Sequence, residues 1–163
     1  MKEFAVLLLL ALMLNGCGDN HVPNPQTAAG GVWESEMQGG DGTSSGLSFI
    51  TQFTVANNGA MNITSFQFLT QIDGGCFPVA NGSRPTGTLT VTPNSANQVS
   101  GTFSFSVVSG PNTLTLTSTS VTGTLNGIND TLSDGVIIGT WTVKGAGTCN
   151  TNGTFTMTQT TSN

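Results

Sequence analysis

The stretch Thr102-Phe103-Ser104-Phe105-Ser106-Val107 alternates strictly between apolar and hydroxyl-bearing residues. Successive side chains of an extended chain point to opposite faces, so the two phenylalanines and the valine share one face. This pattern is typical of a strand with one buried face and one face in water, as in antiparallel sheets.

The same alternation recurs along most of the chain after residue 30. Gly, Asn, Asp and Pro separate the alternating segments, as expected between strands. With a first strand around Trp33, the pattern predicts about eight strands. The change of parity between Ile63 and Phe66 predicts a β-bulge near Thr64-Ser65. The apolar positions of the other segments are Leu47, Phe49, Phe53, Val55, Met61, Ile63, Phe66, Phe68, Leu89, Val91, Val99, Leu114, Leu116, Val121, Leu125, Ile137, Trp141, Val143, Phe155 and Met157.

Short turn signals such as Asn57-Asn58-Gly59 and Asn126-Gly127 favour hairpins between consecutive strands. We therefore predict an all-β domain with about eight antiparallel strands in an up-and-down barrel, with a β-sandwich as the alternative. The opening Gly31-Val32-Trp33 resembles the Gly-x-Trp that begins lipocalin-type barrels. Nine aromatic residues are candidates to fill the core or to line a cavity in it: Trp33, Phe49, Phe53, Phe66, Phe68, Phe103, Phe105, Trp141 and Phe155.

The composition excludes several classes of protein. Only 7 % of the 163 residues are charged and the formal net charge is −5, so a cationic surface for nucleic acid is missing. Thr (27), Ser (15), Asn (15) and Gly (22) dominate, which argues against coiled coils and helical bundles. Because Thr is β-branched and its hydroxyl hydrogen-bonds to water, it suits the outward positions of strands.

The N-terminus indicates export. Phe4 to Leu14 is an apolar run of 11 residues, too short for a membrane-spanning helix but suited to a signal peptide. The run ends in Leu14-Asn15-Gly16-Cys17, which resembles the lipobox of bacterial lipoproteins; an ordinary cleaved signal peptide is the alternative. The resemblance implies cleavage after Gly16 and lipidation of Cys17, including an acyl chain such as palmitate on its new amino group.

Lipidation implies a protein that is anchored to a membrane without spanning it. We expect a signal peptide over residues 1–16, a lipidated Cys17 with a flexible tether to residue 30, and one β domain over residues 31–163. Because Gly18 and not Asp follows the cysteine, the resemblance favours the outer membrane over the inner membrane. The only histidine, His21, lies in the predicted tether, where we expect it to be solvated.

Two cysteines remain in the predicted β domain. Cys76 and Cys149 form an even pair in a protein that we expect in an oxidising compartment, so we predict a disulfide between them. Such a bridge would stabilise the fold by about 4 kcal/mol on the chain-entropy model. A redox or metal role is the weaker alternative, because no Cys-x-x-Cys motif is present.

The predicted β domain lacks the residues of common catalytic sites. It contains no histidine to act as a base, and its carboxylates are scattered; Glu34 and Glu36 share one face of a strand, which we expect to be solvated. We therefore expect no enzyme, no metal and no cofactor. Two roles remain: a binding module, for a small apolar ligand in the barrel mouth or along a strand edge, and a structural or surface-coat lipoprotein that contacts other envelope components.

Overall fold

The computed structural model describes residues 24–42, 44–70, 84–126, 131–147 and 149–160. It contains one helical turn, α1, and eight strands, β1 to β8, all paired antiparallel in one sheet. The prediction of an all-β domain with about eight antiparallel strands is confirmed. The elements are α1 Pro25–Ala28, β1 Gly31–Gly39, β2 Ser44–Val55, β3 Met61–Thr70, β4 Arg84–Pro93, β5 Val99–Ser109, β6 Asn112–Asn126, β7 Thr131–Lys144 and β8 Thr151–Thr160.

The strand order β3-β2-β1-β8-β7-β6-β5-β4 is that of a meander whose first and last strands pair. The sheet curls into a barrel-like form, so that its edge strands β3 and β4 approach each other. They meet at the bridge Ala60↔Thr88, and the Leu89 amide donates to the Gly59 carbonyl at 2.8 Å. A single curled sheet of this order forms a half-barrel, which agrees with the barrel-like fold preferred from the sequence.

Side chains complete the contact between β3 and β4. Gly87 on β4 leaves room for Met61, whose Sδ would lie 2.7 Å from a Cβ at that position. Beside it, the Phe66 ring of β3 lies 5.9 Å from the Phe105 ring of β5. The apolar interior is thus continuous across the two sheet edges.

The strand registers agree with the alternation in the sequence. In β3, Ser65 pairs with Gln52 and Ile63 pairs with Phe53, so Thr64 is the extra residue of a bulge at the predicted place. The predicted apolar positions are buried in the core, except for Met61, Ile63 and Phe66, which are partly buried and pack against it.

Gly-Thr recurs at residues 87, 101, 139 and 153, and each of these glycines lies inside a strand. A Cβ at Gly101, Gly139 or Gly153 would strike a backbone carbonyl of the neighbouring strand. Glycine inside a strand allows such close approach and lets a sheet bend sharply. The repeat therefore marks places where neighbouring strands come close as the sheet curls.

Residues 24–30, which the sequence analysis assigned to a flexible tether, pack against the barrel. Asn24 caps α1 by accepting from the Gln26 amide at 3.0 Å, and Ala28 and Ala29 are buried against the barrel. The Gln26 side chain donates to the Val91 carbonyl and accepts from the Val91 amide on β4, each at 3.2 Å. These contacts close one end of the barrel, here called the helix end.

The helix end also contains the turns β2–β3 (residues 56–60) and β4–β5 (residues 94–98). The far end contains the turns that follow β1, β5 and β7. In the described part of the chain, no helix has the length and apolar character needed to cross a membrane.

Candidate binding surfaces

The nine aromatic residues predicted for the core or a cavity form a packed core. Eight of them are at most 6 % exposed and Phe66 is partly buried. Phe105 stacks on Phe49 at 5.5 Å and on Phe103 at 6.0 Å, and Phe103 contacts Phe155 at 6.1 Å. These ring contacts pack the aromatic side chains against one another in the core.

The two tryptophans are held by hydrogen bonds. The Trp33 indole donates to the Ala29 carbonyl at 3.2 Å at the helix end, and the Trp141 indole donates to the Gln38 carbonyl at 2.9 Å. A buried indole N–H normally has such a partner. Ser35 differs, because its hydroxyl is fully buried and lacks a hydrogen-bond partner within the described ranges.

One groove lies on the outer surface beside the irregular pairing of β1 and β2. It has a volume of about 380 Å³, and Glu34, Glu36, Gln38, Ser48 and Thr70 are among its lining residues. Gly46 has φ +68° there, and the pairing of the two strands shifts register between Glu36 and Gln38. As predicted from their spacing, the two glutamates share the outer face of β1; Glu36 is exposed and Glu34 is half-buried.

A second groove, also about 380 Å³, lies between α1 and the adjoining ends of β1, β7 and β8. Val32, Leu132, Asp134 and Thr160 contribute to its walls. Asp134 adopts φ +53°, which is uncommon for a residue other than glycine. The first groove lies on the outside of the sheet and the second at the helix end, and buried core residues such as Leu47 and Leu132 contribute to their floors.

Ionisable side chains are sparse on the described surface. Within the described ranges, no group of three or more His, Cys, Asp or Glu side chains could hold a metal ion. Asp41 lies in the β1–β2 turn and Lys144 ends β7, both at the far end. His21, Asp73 and Asp130 lie outside the described residues.

Hydroxyl and amide side chains form two rows across the outer face of β4 to β8. Strand pairing aligns each row laterally, so neighbouring members are one strand spacing apart, about 4.8 Å. All ten residues are uncharged, and each is exposed or half-buried. We call this surface the hydroxyl face: Thr88, Ser104, Thr117, Thr140 and Thr154 in one row, and Thr86, Ser106, Thr115, Thr142 and Asn152 in the other.

The alternation in the sequence indicated that these hydroxyls point outward, but it did not align them into rows. Lateral alignment depends on the register between strands, which the turns and bulges set. The role of α1 in closing one end was also missed; Asn24-Pro25 was its signal, an N-cap residue followed by proline at the first helical position.

The cysteine predictions fall largely outside the described residues. Cys17 and Cys76 both lie outside them, whereas Cys149 is buried, with 8 % exposure, in the β7–β8 turn at the far end. The segment that contains Cys76 joins Thr70 to Arg84, and these two residues also lie at the far end.

Comparison of the chain with protein families, with characterised proteins and with solved structures finds no significant match in any of the three.

Proposed function

We propose that the chain is a lipid-anchored lipoprotein of the bacterial envelope whose β domain is non-catalytic and contacts other envelope components through its outer surface. The observation that supports this role best is the packed aromatic interior, in which Phe105 stacks on both Phe49 and Phe103. A small apolar ligand needs a pocket of roughly 300 Å³ or more with apolar walls. The interior aromatics pack against one another, and this supports the structural role over a ligand in the barrel.

The hydroxyl face is the surface that we propose for these contacts. It offers donors and acceptors without charge, which suits a neutral hydrogen-bonding partner and not a phosphate-rich one. To test it, Thr117 and Thr140 are both replaced by Val, which removes two hydroxyls and keeps the β-branched shape. Thr54→Val is the matched control, because Thr54 is exposed on β2, outside the hydroxyl face.

The measurement is the amount of envelope material that is cross-linked to the protein in intact cells. We expect the double variant to capture several-fold less than the wild type, with the control unchanged. Equal capture by all three proteins would exclude the hydroxyl face as the contact surface.

The lipid anchor is supported by Leu14-Asn15-Gly16-Cys17 at the end of the apolar run. Radiolabelled palmitate should enter the wild type and not Cys17→Ala, and the labelled protein should fractionate with the outer membrane. Equal labelling of both proteins would overturn the anchor, and recovery in the inner membrane would overturn the proposed location.

A disulfide between Cys76 and Cys149 is part of the proposal. It is supported by the topology, because β3 ends and β4 begins at the end of the barrel where Cys149 lies. Denatured samples should migrate faster on non-reducing than on reducing gels, and Cys149→Ser should abolish the difference. Two free thiols per folded domain would refute the bridge.

A further inference from the structure

The position of α1 determines where the chain leaves the folded domain towards its proposed anchor. Asn24 donates from its side-chain amide to the Asn57 side-chain oxygen at 2.6 Å, and Gln26 bonds both backbone groups of Val91. Asn24, the first described residue, is therefore hydrogen-bonded to the β2–β3 turn, and Gln26 is hydrogen-bonded to β4. Both contacts are at the helix end.

The chain between Cys17 and Asn24 is short compared with the barrel. Seven residue steps separate the two positions, and even fully extended they span at most about 25 Å. The eight strands have 9 to 15 residues and about 11 on average, which at a tilt of about 40° gives a barrel height of roughly 28 Å. If the far end touched the bilayer, Asn24 would lie beyond the reach of an anchored Cys17.

We propose that the helix end faces the membrane that holds the lipid anchor and that the far end points away from it. This orientation rests on the proposed lipidation of Cys17. Two observations support it: only seven residue steps join Cys17 to Asn24, and hydrogen bonds hold α1 against the barrel. The far-end turns and the acidic groove beside Glu36 are then directed away from the bilayer.

Energy transfer to the membrane surface tests the orientation. The full-length lipidated protein is reconstituted into vesicles that contain a headgroup-labelled acceptor lipid. A donor is attached either at Asn58→Cys, in the exposed β2–β3 turn, or at Pro111→Cys, in the exposed β5–β6 turn. The parent without an added cysteine serves as the labelling control.

We expect several-fold greater transfer from position 58 than from position 111. A flexible Gly/Ser insert between Cys17 and Asn24 should reduce this difference, because it lengthens the connection. Equal transfer from both sites, greater transfer from position 111, or a difference unchanged by the insert would overturn the orientation. Failure of the wild type to float with vesicles would instead overturn the lipid anchor, and the orientation with it.

Discussion

At the scale of single residues, Gly153 shows how tightly the strands approach one another. A Cβ at this position would strike the Gln38 carbonyl of β1 and would lie 2.8 Å from the Trp141 indole nitrogen. The same carbonyl accepts the hydrogen bond of that indole. The absence of a side chain at residue 153 therefore permits both the strand pairing and the placement of the tryptophan.

Gly153→Ala should lower the free energy of unfolding by about 2–4 kcal/mol, because neither the backbone carbonyl nor the indole can move aside cheaply. Urea unfolding followed by tryptophan fluorescence measures the change. Gly40→Ala is the control, since its Cβ would meet only Asn152 atoms, at 3.3 Å or more. A loss of stability as large in the control would show that the close approach at Gly153 is not the cause.

Two buried hydroxyls on neighbouring strands differ in their hydrogen bonding. Thr51 is 1 % exposed and donates to the Ser65 carbonyl at 3.0 Å, whereas the Ser35 hydroxyl is buried without a partner in the described structure. A buried polar group without a partner costs free energy, and a paired one contributes about 1 kcal/mol.

Ser35→Ala should therefore leave stability unchanged or raise it by up to about 1 kcal/mol, whereas Thr51→Val should lower it by about 1–2 kcal/mol. Chemical denaturation of the two variants beside the wild type provides the comparison. A clear loss of stability in Ser35→Ala would mean that this hydroxyl is hydrogen-bonded in solution, for example to a buried water.

At the scale of elements, α1 is too short to be stable alone and depends on its contacts with the barrel. Isolated helices need roughly 12–15 residues to be even marginally stable in water, and α1 has four. Its cap at Asn24, the buried Ala28 and the two bonds of Gln26 to Val91 provide the missing stabilisation.

Gln26→Ala should release α1 from β4 without unfolding the barrel. Because the Val91 amide donates to the Gln26 side chain, its hydrogen exchange should accelerate by about tenfold or more, equivalent to roughly 1.4 kcal/mol of local stability. Thr27→Ala is the control on the exposed side of the same turn. Unchanged exchange at Val91 in Gln26→Ala would show that these bonds do not hold the helix in solution.

At the scale of the whole molecule, the packed interior predicts how the barrel responds to apolar molecules. Phe105 is fully buried and stacks between Phe49 and Phe103. Phe105→Ala should lower the free energy of unfolding by about 3–5 kcal/mol and leave an apolar cavity. Such cavities remain dry and can bind xenon or benzene.

Native mass spectrometry and xenon-dependent chemical shifts should detect binding to Phe105→Ala and not to the wild type. The variant must first be shown to be folded, by its far-UV circular dichroism. Wild-type protein that binds the probe as strongly as the variant, or that retains a small molecule through purification, would mean that the interior has room for a ligand.

The sequence by itself determined the strands and their buried faces, because side chains alternate with a period of two whatever the strand pairs with. It also predicted a bulge near Thr64-Ser65, where the parity of apolar residues changes, and the strand register places it at Thr64. Only the tertiary structure decided that β1 pairs with β8, that Phe105 stacks on Phe49 and Phe103, and that Gly153 lies against Gln38. These features depend on register and curvature between distant segments, which local periodicity does not specify. Local periodicity likewise does not specify that α1 closes one end of the barrel. Its four residues form a helix only through contacts with strands far away in the chain.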